Sequence, residues 1–159
     1  MINVLFVCLG NICRSPMAEA VFNQLLKDNN LQDKIRCDSA GTSDYHIGEP
    51  PDSRTMDIVV AKGLSLDHKG RQFLTKDFDD FNYIIAMDEE NRKNILKLEN
   101  AKAPKKYRVF LMREFEDNPA NLNVPDPYWS GQDGFTEVYN ILHESSQNLL
   151  DYIRKEHQI

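Results

Sequence analysis

The hydrophobic pattern along the chain predicts strands that alternate with helices. Short apolar runs rich in β-branched and aromatic residues predict strands at residues 2–8, 34–39, 82–87 and 108–112. Apolar residues at helical spacing predict a first helix from Pro16 to about Asn29, with one apolar face made of Ala18, Val21, Phe22, Leu25 and Leu26. Such alternation is typical of a parallel sheet covered on both faces, so we expect an α/β fold.

Capping residues and periodicity predict three further helices. The second spans about Ser53 to Lys62, with Asp52 as its N-cap and Gly63 as its stop signal. The third covers about residues 88–98. The last runs from about residue 135 to 155 and buries an apolar face made of Phe135, Val138, Tyr139, Leu142, Leu149 and Ile153. No repeat or linker interrupts this pattern, which predicts one domain over residues 1–159.

The segment between the first strand and the first helix predicts an anion site. Gly10 permits a tight turn, Ser15 has the residue type of an N-cap, and Pro16 suits the first helical position. The backbone N–H groups of positions 9–14 are expected to point inward and to add to the positive end of the helix dipole. The loop is therefore expected to bind a dianion.

The same segment holds a cysteine and an arginine with five residues between them, Cys8-x5-Arg14. A guanidinium presents a planar fork that suits two phosphoryl oxygens. Its field, together with that of the loop, favours the thiolate form of Cys8, and a thiolate is a nucleophile. We interpret the pair as a device for attacking phosphate esters.

Composition excludes several other classes. The chain has 159 residues, 41% of them apolar, a net charge of −6, and no basic stripe interleaved with aromatics, so a nucleic-acid binder is disfavoured. Apolar runs are too short to cross a membrane, and the N-terminus passes directly into a strand, which predicts no signal peptide. Three cysteines fit reduced thiols better than disulfides. A cytoplasmic location is the default expectation.

The segment from Cys8 to Ser15 resembles the phosphate-binding loop of the low-molecular-weight protein tyrosine phosphatases. Further blocks resemble that family in the family's order: Asp38-Ser39-Ala40-Gly41-Thr42, Gly48-Glu49-Pro50-Pro51, Asp67-His68 with Arg71-Gln72, Ala86-Met87-Asp88 with Asn91, and Asp126-Pro127-Tyr128. The resemblance covers the whole chain. It implies a single-domain three-layer α/β/α fold around a central four-stranded parallel sheet.

The resemblance also implies the reaction, which is hydrolysis of protein phosphotyrosine through a phosphocysteine intermediate. Cys8 is then the nucleophile, and Arg14 binds the phosphoryl group and stabilises the transition state. Asp126, in a loop stiffened by prolines on both sides, is the general acid and base. The family needs no metal and no other cofactor. The expected partners are phosphotyrosine-containing proteins, with phosphate or other oxyanions in the active site, and the expected state is a monomer or a weak dimer.

Supporting roles follow from the same resemblance. Ser15 is expected to donate a hydrogen bond to the Cys8 sulfur, and Asp88 to orient Arg14. Three residues that match the family are expected to hold the loop in shape: Asn11, Ser39 and His68. The complete phosphate-binding loop after the nucleophile is Leu9, Gly10, Asn11, Ile12, Cys13, Arg14 and Ser15. Cys13 is a candidate redox partner that would trap an oxidised nucleophile as a disulfide.

The rim of the site is expected to be aromatic. Tyr45, Tyr128 and Trp129 can form walls around a phenyl ring, and Leu9 and Ile12 complete an apolar mouth. A deep cavity of this kind suits the length of phosphotyrosine better than that of phosphoserine.

Three alternative functions remain open on the same residues. Related phosphoarginine phosphatases carry a threonine where this chain has Ile12, which favours tyrosine. Thioredoxin-coupled arsenate reductases share the loop but relay oxidation through further cysteines, and residues 75–100 contain none. A non-catalytic phosphotyrosine-binding module would be expected to lack the nucleophile or the acid, and this chain has both.

Overall fold

The computed structural model describes residues 1–159 and has a four-stranded parallel sheet at its centre. The strands are β1 (Ile2–Cys8), β2 (Ile35–Gly41), β3 (Tyr83–Ala86) and β4 (Arg108–Leu111), in the spatial order β2-β1-β3-β4. The predicted parallel sheet is confirmed. The second strand runs two residues further than its apolar pattern indicated, because Gly41 pairs with Cys8 at the end of β1.

Helices cover the sheet on both sides, as predicted. They are α1 (Arg14–Asp28), α2 (Ser53–Ala61), α3 (Asp77–Asp80), α4 (Glu89–Leu96) and α5 (Gln132–His157), with a 3₁₀ turn over Met112–Phe115. The prediction that Ser15 caps α1 and that Pro16 begins it was wrong. The helix begins two residues earlier, at Arg14, and the side chain of Ser15 makes no cap: it contacts Cys8 and Asn11 instead.

Two clusters of buried side chains lie on the two faces of the sheet. Val4, Phe6 and Cys8 point into the larger cluster, which α1 and α5 complete. Leu5 and Val7 point into the smaller cluster on the opposite face. This alternation is the two-residue period of a strand, and it explains why β1 reads as one continuous apolar run: both of its faces are buried.

The strand order places the loop after β1 at a special point of the sheet. The chain moves from β1 to β2 on one side and then crosses back to β3 on the other side of β1. Ligands of open parallel sheets bind at the carboxyl ends of the strands where the order reverses in this way. Cys8 ends β1 at that point, Gly41 ends β2, and Asp88 follows β3. None of the helices is long and apolar enough to span a bilayer.

Candidate active site

The loop between β1 and α1 presents a row of free backbone donors. The N–H group of Asn11 points at the sulfur of Cys8, at 3.3 Å. The other N–H groups around the turn have no acceptor within the protein; they belong to Leu9, Gly10, Ile12, Cys13 and Arg14. Unpaired N–H groups that converge at the start of a helix form a concave anion-binding nest. A phosphate group bound in the loop would satisfy them.

The sharp turn in this loop is made by Asn11 and not by Gly10. Asn11 has a φ of 57°, in the left-handed region, whereas Gly10 does not adopt a positive φ. The expectation that Gly10 supplies the turn was therefore wrong. Gly10 instead leaves room for a neighbour: a Cβ atom there would lie 2.9 Å from Cδ2 of His46, so the histidine side chain would have to shift. Asparagine tolerates the left-handed region better than most residues, and both the nitrogen and the oxygen of the Asn11 amide make hydrogen bonds.

The amide of Asn11 ties the loop to its surroundings. Its Nδ2 donates to Oγ of Ser15 at 2.8 Å and to Oγ of Ser39 at 3.0 Å. Its Oδ1 accepts from the backbone N–H of Arg71 at 3.0 Å and from Nε2 of His68 at 2.7 Å. All of its hydrogen-bonding capacity is used. The structure thus brings together the three residues expected to shape the loop, and Asn11 also contacts Ser15.

The sulfur of Cys8 lies next to a hydroxyl group that is free to donate. Cys8 is 2% exposed, and its Sγ is 3.0 Å from Oγ of Ser15. Because Asn11 donates to that same Oγ, the hydroxyl proton of Ser15 is available to the sulfur; its other acceptor is the carbonyl of Ala40, at 3.3 Å. A negatively charged sulfur gains most from such a donor. The hydroxyl of Ser15 is therefore placed to donate a hydrogen bond to the sulfur.

Arg14 is buried and held by two acceptors. Its Nη1 donates to Oδ2 of Asp88 at 2.6 Å and to the carbonyl of Val124 at 3.0 Å. Asp88 is itself fixed, because its Oδ1 caps α4 by accepting from the N–H of Asn91 at 2.7 Å. The residue is only 2% exposed, so these contacts restrict its guanidinium to one orientation. Its other edge is left facing the cavity.

Asp126 lies on a loop above the cavity. The segment of residues 125–131 is named here the acid loop. The Asp126 side chain is 43% exposed, its Oδ2 is 3.6 Å from Nη2 of Arg14, and its Oδ1 accepts from the N–H of Tyr128 at 3.1 Å. The carboxyl group is therefore oriented within the loop and directed at the site of Arg14.

A single cavity of about 270 Å³ joins these residues. Cys8, Arg14 and Asp126 all line it. Every residue expected at the rim lines it as well: Leu9, Ile12, Tyr45, Tyr128 and Trp129. Tyr128 and Trp129 pack edge to face with their centroids 4.9 Å apart, and Trp129 is 92% exposed, so the mouth is an apolar surface open to a large partner.

Burial opposes the ionisation of Cys13 and Cys37. Burial is the main cause that raises the pKa of Cys13 to about 12, and it also raises the pKa of Cys37 well above the usual value for a thiol. A neutral thiol is a poor nucleophile. Cys13 nevertheless lines the cavity with Cys8, whereas Cys37 lies half-buried on β2.

A buried ionisable cluster lies behind the loop, and the sequence analysis did not assign it. Glu19 comes one helical turn after Ser15, and its Oε1 lies 3.5 Å from Nδ1 of His68. Burial, with a hydrogen bond to Asp38, raises the pKa of Glu19 to about 9. The donor atoms of these three residues lie within 4.8 Å of one another. Asn11 and Arg71 already engage His68 and Asp38, which favours a hydrogen-bonding role over metal coordination.

The signal for Glu19 was present in the sequence but weak. A lone charge between Ala18 and Ala20 on an otherwise buried helix face indicates a specific partner. Arg54 was also missed. It follows the Asp52 cap and contacts the acid loop, a long-range pairing that no local pattern reveals.

Comparison with known proteins agrees with this geometry. The family model described as low molecular weight phosphotyrosine protein phosphatase matches residues 3–159. The protein is 43% identical to the low molecular weight protein-tyrosine-phosphatase YfkJ of Bacillus subtilis over the full length of both chains. It is 42% identical to the human low molecular weight phosphotyrosine protein phosphatase over 86% of each chain.

Solved structures give the same result. The crystal structure of YfkJ superposes with a TM-score of 0.92, covering 98% of this chain and 96% of that one at 42% identity. The structure of a Drosophila arginine phosphatase superposes with a TM-score of 0.90 at 34% identity, covering 95% of this chain and 97% of that one. The chain therefore belongs to the low molecular weight phosphotyrosine protein phosphatase family.

Proposed function

We propose that this protein hydrolyses phosphotyrosine in proteins through a phosphocysteine intermediate formed on Cys8. The observation that carries the proposal is one cavity that holds a buried cysteine, a cradle of free N–H groups, a fixed arginine and a carboxyl group. Each of these has a distinct task in phosphoryl transfer. Membership of the family supports the same reaction.

In the first step the Cys8 thiolate attacks phosphorus, and the bond between phosphorus and the tyrosine oxygen breaks. The electron pair of that bond goes to the phenolic oxygen, which takes a proton from the Asp126 carboxyl group. Arg14 and the loop N–H groups bind the equatorial oxygens, where the charge of the transition state lies. The buried contacts to Asp88 and Val124 hold Arg14 ready for this, so little reorganisation is needed.

In the second step water attacks the phosphocysteine. The Asp126 carboxylate accepts a proton from that water, the sulfur–phosphorus bond breaks, and its electron pair returns to Cys8 as a thiolate. Ser15 donates a hydrogen bond to the departing sulfur, at the 3.0 Å separation seen in the structure. Inorganic phosphate then leaves the loop. Every group in the two steps is supplied by this chain, by the substrate or by water.

The mouth of the cavity supports tyrosine as the substrate residue. A phenyl ring can pass between Tyr45 and Tyr128 while its phosphate reaches Cys8 at the floor, whereas the short side chain of phosphoserine would leave its phosphate above the loop. Phosphoarginine is a second candidate, because an arginine phosphatase shares this fold. The apolar side chain of Ile12 at the mouth favours the aromatic substrate.

We also propose that the enzyme works as a single-domain monomer in the cytoplasm. Its reaction requires a reduced thiol at Cys8. Cys13 lines the same cavity, so a disulfide between the two cysteines would stop the reaction. A reducing compartment keeps such cysteines free.

Trapping the intermediate tests the assignment of the nucleophile. Wild-type protein mixed with a phosphotyrosine peptide and quenched within milliseconds is expected to carry one phosphate on the peptide that contains Cys8. Cys13→Ser is the matched control, because it removes the neighbouring thiol and should still be labelled. Label on any residue other than Cys8, or label that persists in Cys8→Ser, would contradict the mechanism.

A further inference from the structure

Arg54 lies outside the cavity but is fastened to the phosphate-binding loop. Its backbone N–H and Nε donate to Oδ1 of Asp52 at 2.9 and 3.0 Å, and its Nη2 donates to Oδ2 at 2.9 Å. Asp52 caps α2, and its own N–H donates to the carbonyl of Ile12 at 2.8 Å. The guanidinium of Arg54 is thus connected to the phosphate-binding loop through Asp52.

The same guanidinium holds the acid loop. Nη1 donates to the carbonyl of Ser130 and Nη2 to the carbonyl of Tyr128, both at 3.0 Å. These two are the only hydrogen bonds that residues 125–131 receive from another part of the chain; the remaining ones lie within the loop or at its junction with α5. The prolines stiffen the loop, but they have no N–H group that could hydrogen-bond it to the rest of the chain.

Packing explains why an arginine is needed at this position. The Cζ atom of Arg54 lies 4.4 Å from the ring centroid of Phe135, which is fully buried, and 5.7 Å from that of Tyr128. The face of the guanidinium stacks while its edges donate four side-chain hydrogen bonds. A lysine ammonium has neither the planar fork nor the stacking face.

We propose that Arg54 is the positioning residue for general-acid catalysis. It holds the acid loop at a fixed place relative to the phosphate-binding loop, and so keeps the Asp126 carboxyl group within reach of the leaving oxygen. The inference rests on the proposed role of Asp126. It adds a residue that touches neither substrate nor phosphate and acts only through the acid.

The leaving group distinguishes this role from a general structural one. A phenolate leaves poorly without a proton, whereas 4-nitrophenolate leaves well without one. Arg54→Ala is therefore expected to lower kcat/KM for phenyl phosphate about 10- to 100-fold, and for 4-nitrophenyl phosphate several-fold less. Asp126→Asn removes the acid itself and so gives the largest fall in kcat/KM for phenyl phosphate that loss of the acid can cause. The variant that carries both Arg54→Ala and Asp126→Asn should show no larger fall than Asp126→Asn alone.

Controls separate the acid loop from the phosphate-binding loop. Inhibition by inorganic phosphate should be unchanged in Arg54→Ala, because the N–H cradle and Arg14 are intact. Arg54→Lys should show the same selective loss, since it keeps the charge without the fork. Arg92→Ala removes an arginine that pairs with Glu114 at 3.1 Å on the surface, and both substrates should be turned over normally.

Three results would overturn the proposal: equal losses on the two substrates, weaker phosphate binding, or an Arg54 effect that multiplies that of Asp126→Asn. If Asp126→Asn shows the larger loss on phenyl phosphate and Arg54→Ala does not, the positioning role of Arg54 is excluded and the acid role of Asp126 stands. If Asp126→Asn itself shows none, the acid assignment fails and Arg54 falls with it. Arg54→Gln, which keeps a polar side chain of similar reach, carries the same expectations should the alanine variant not fold.

Discussion

At the scale of single residues, the site depends on side chains with two simultaneous contacts. Asn11 makes the turn with its backbone and braces the loop with its amide. Asp88 caps α4 with one oxygen and holds Arg14 with the other. Ser15 receives a hydrogen bond from Asn11 and can give one to Cys8. A substitution at any of these positions therefore changes both the shape of the loop and its chemistry.

Ser15→Ala is expected to slow the second chemical step selectively. The hydroxyl donates to the sulfur as the phosphocysteine breaks down, and a hydrogen bond to a charged group contributes about 1.5–3 kcal/mol. Turnover should fall about 10- to 100-fold, with a burst of tyrosine before the steady state. Rapid-mixing kinetics measures both.

Ser39→Ala is the matched control for that variant, because Ser39 also contacts Asn11 but does not reach the sulfur. Its turnover should fall less, and without a burst. Equal effects of the two substitutions would mean that Ser15 acts by bracing Asn11 and has no separate contact with the leaving sulfur.

At the scale of elements, the loop is shaped by the strand beside it. Gly41, at the end of β2, lies so close to the phosphate-binding loop that a Cβ atom there would be 2.7 Å from the carbonyl oxygen of Leu9 and 3.1 Å from the N–H nitrogen of Asn11. Both atoms belong to the backbone and cannot move independently of the loop.

Gly41→Ala should therefore lower the free energy of unfolding by about 1–3 kcal/mol, as other overpacked sites do. Urea denaturation measures the change. Gly131→Ala is the control for the added methyl group, because nothing lies within 4 Å of it; its loss of stability should stay below about 1 kcal/mol, the cost of replacing the glycine at the N-cap of α5. A Gly41 variant as stable as the control would show that β2 and the loop separate easily.

The sequence predicted the elements better than it predicted their junctions. Buried strands and the face of α1 follow from periodicity, and the cap at Asp52 follows from residue type. The predicted start of α1 was wrong because Ser15 has the residue type of a cap, but its hydroxyl contacts Cys8 and Asn11 instead of the helix N-terminus. The short α3 and the 3₁₀ turn have only four residues each, about one helical turn, which is too short for a repeating hydrophobic pattern to indicate them.

The residues of the site also divide into those that local sequence predicts and those that depend on contacts between distant segments. Cys8 and Arg14 were found from local spacing, since one loop carries both. Asp126 came from the family resemblance, because more than a hundred residues separate it from the loop. Glu19 and Arg54 act through contacts between distant segments, and from sequence alone each looks like an ordinary helix residue.

At the scale of the whole molecule, the buried cluster behind the loop couples protonation to stability. Burial and Asp38 raise the pKa of Glu19 from 4.5 to about 9, and burial lowers the pKa of His68; Arg71 is the cation that faces them. From about pH 7 to pH 9 the folded state therefore keeps a proton that the unfolded chain has lost. Stability must fall as the pH rises through that window, by about 1 kcal/mol per pH unit.

Glu19→Gln should remove most of that slope, because a neutral side chain loses no proton on unfolding. Denaturation at pH 7 and at pH 8.5 measures the slope, and Glu137→Gln, an exposed carboxyl group on α5, should leave it as in wild type. A slope that survives in Glu19→Gln would assign the retained proton to another group.

The most direct measurement is phosphate release from matched phosphotyrosine and phosphoarginine peptides, without added metal, by wild-type protein and Cys8→Ser. We expect turnover of the phosphotyrosine peptide by wild type, much less of the phosphoarginine peptide, and none of either by Cys8→Ser. A preference for phosphoarginine would keep the chemistry and contradict the role given to Ile12 and the aromatic mouth. Undiminished turnover by Cys8→Ser would contradict the mechanism itself.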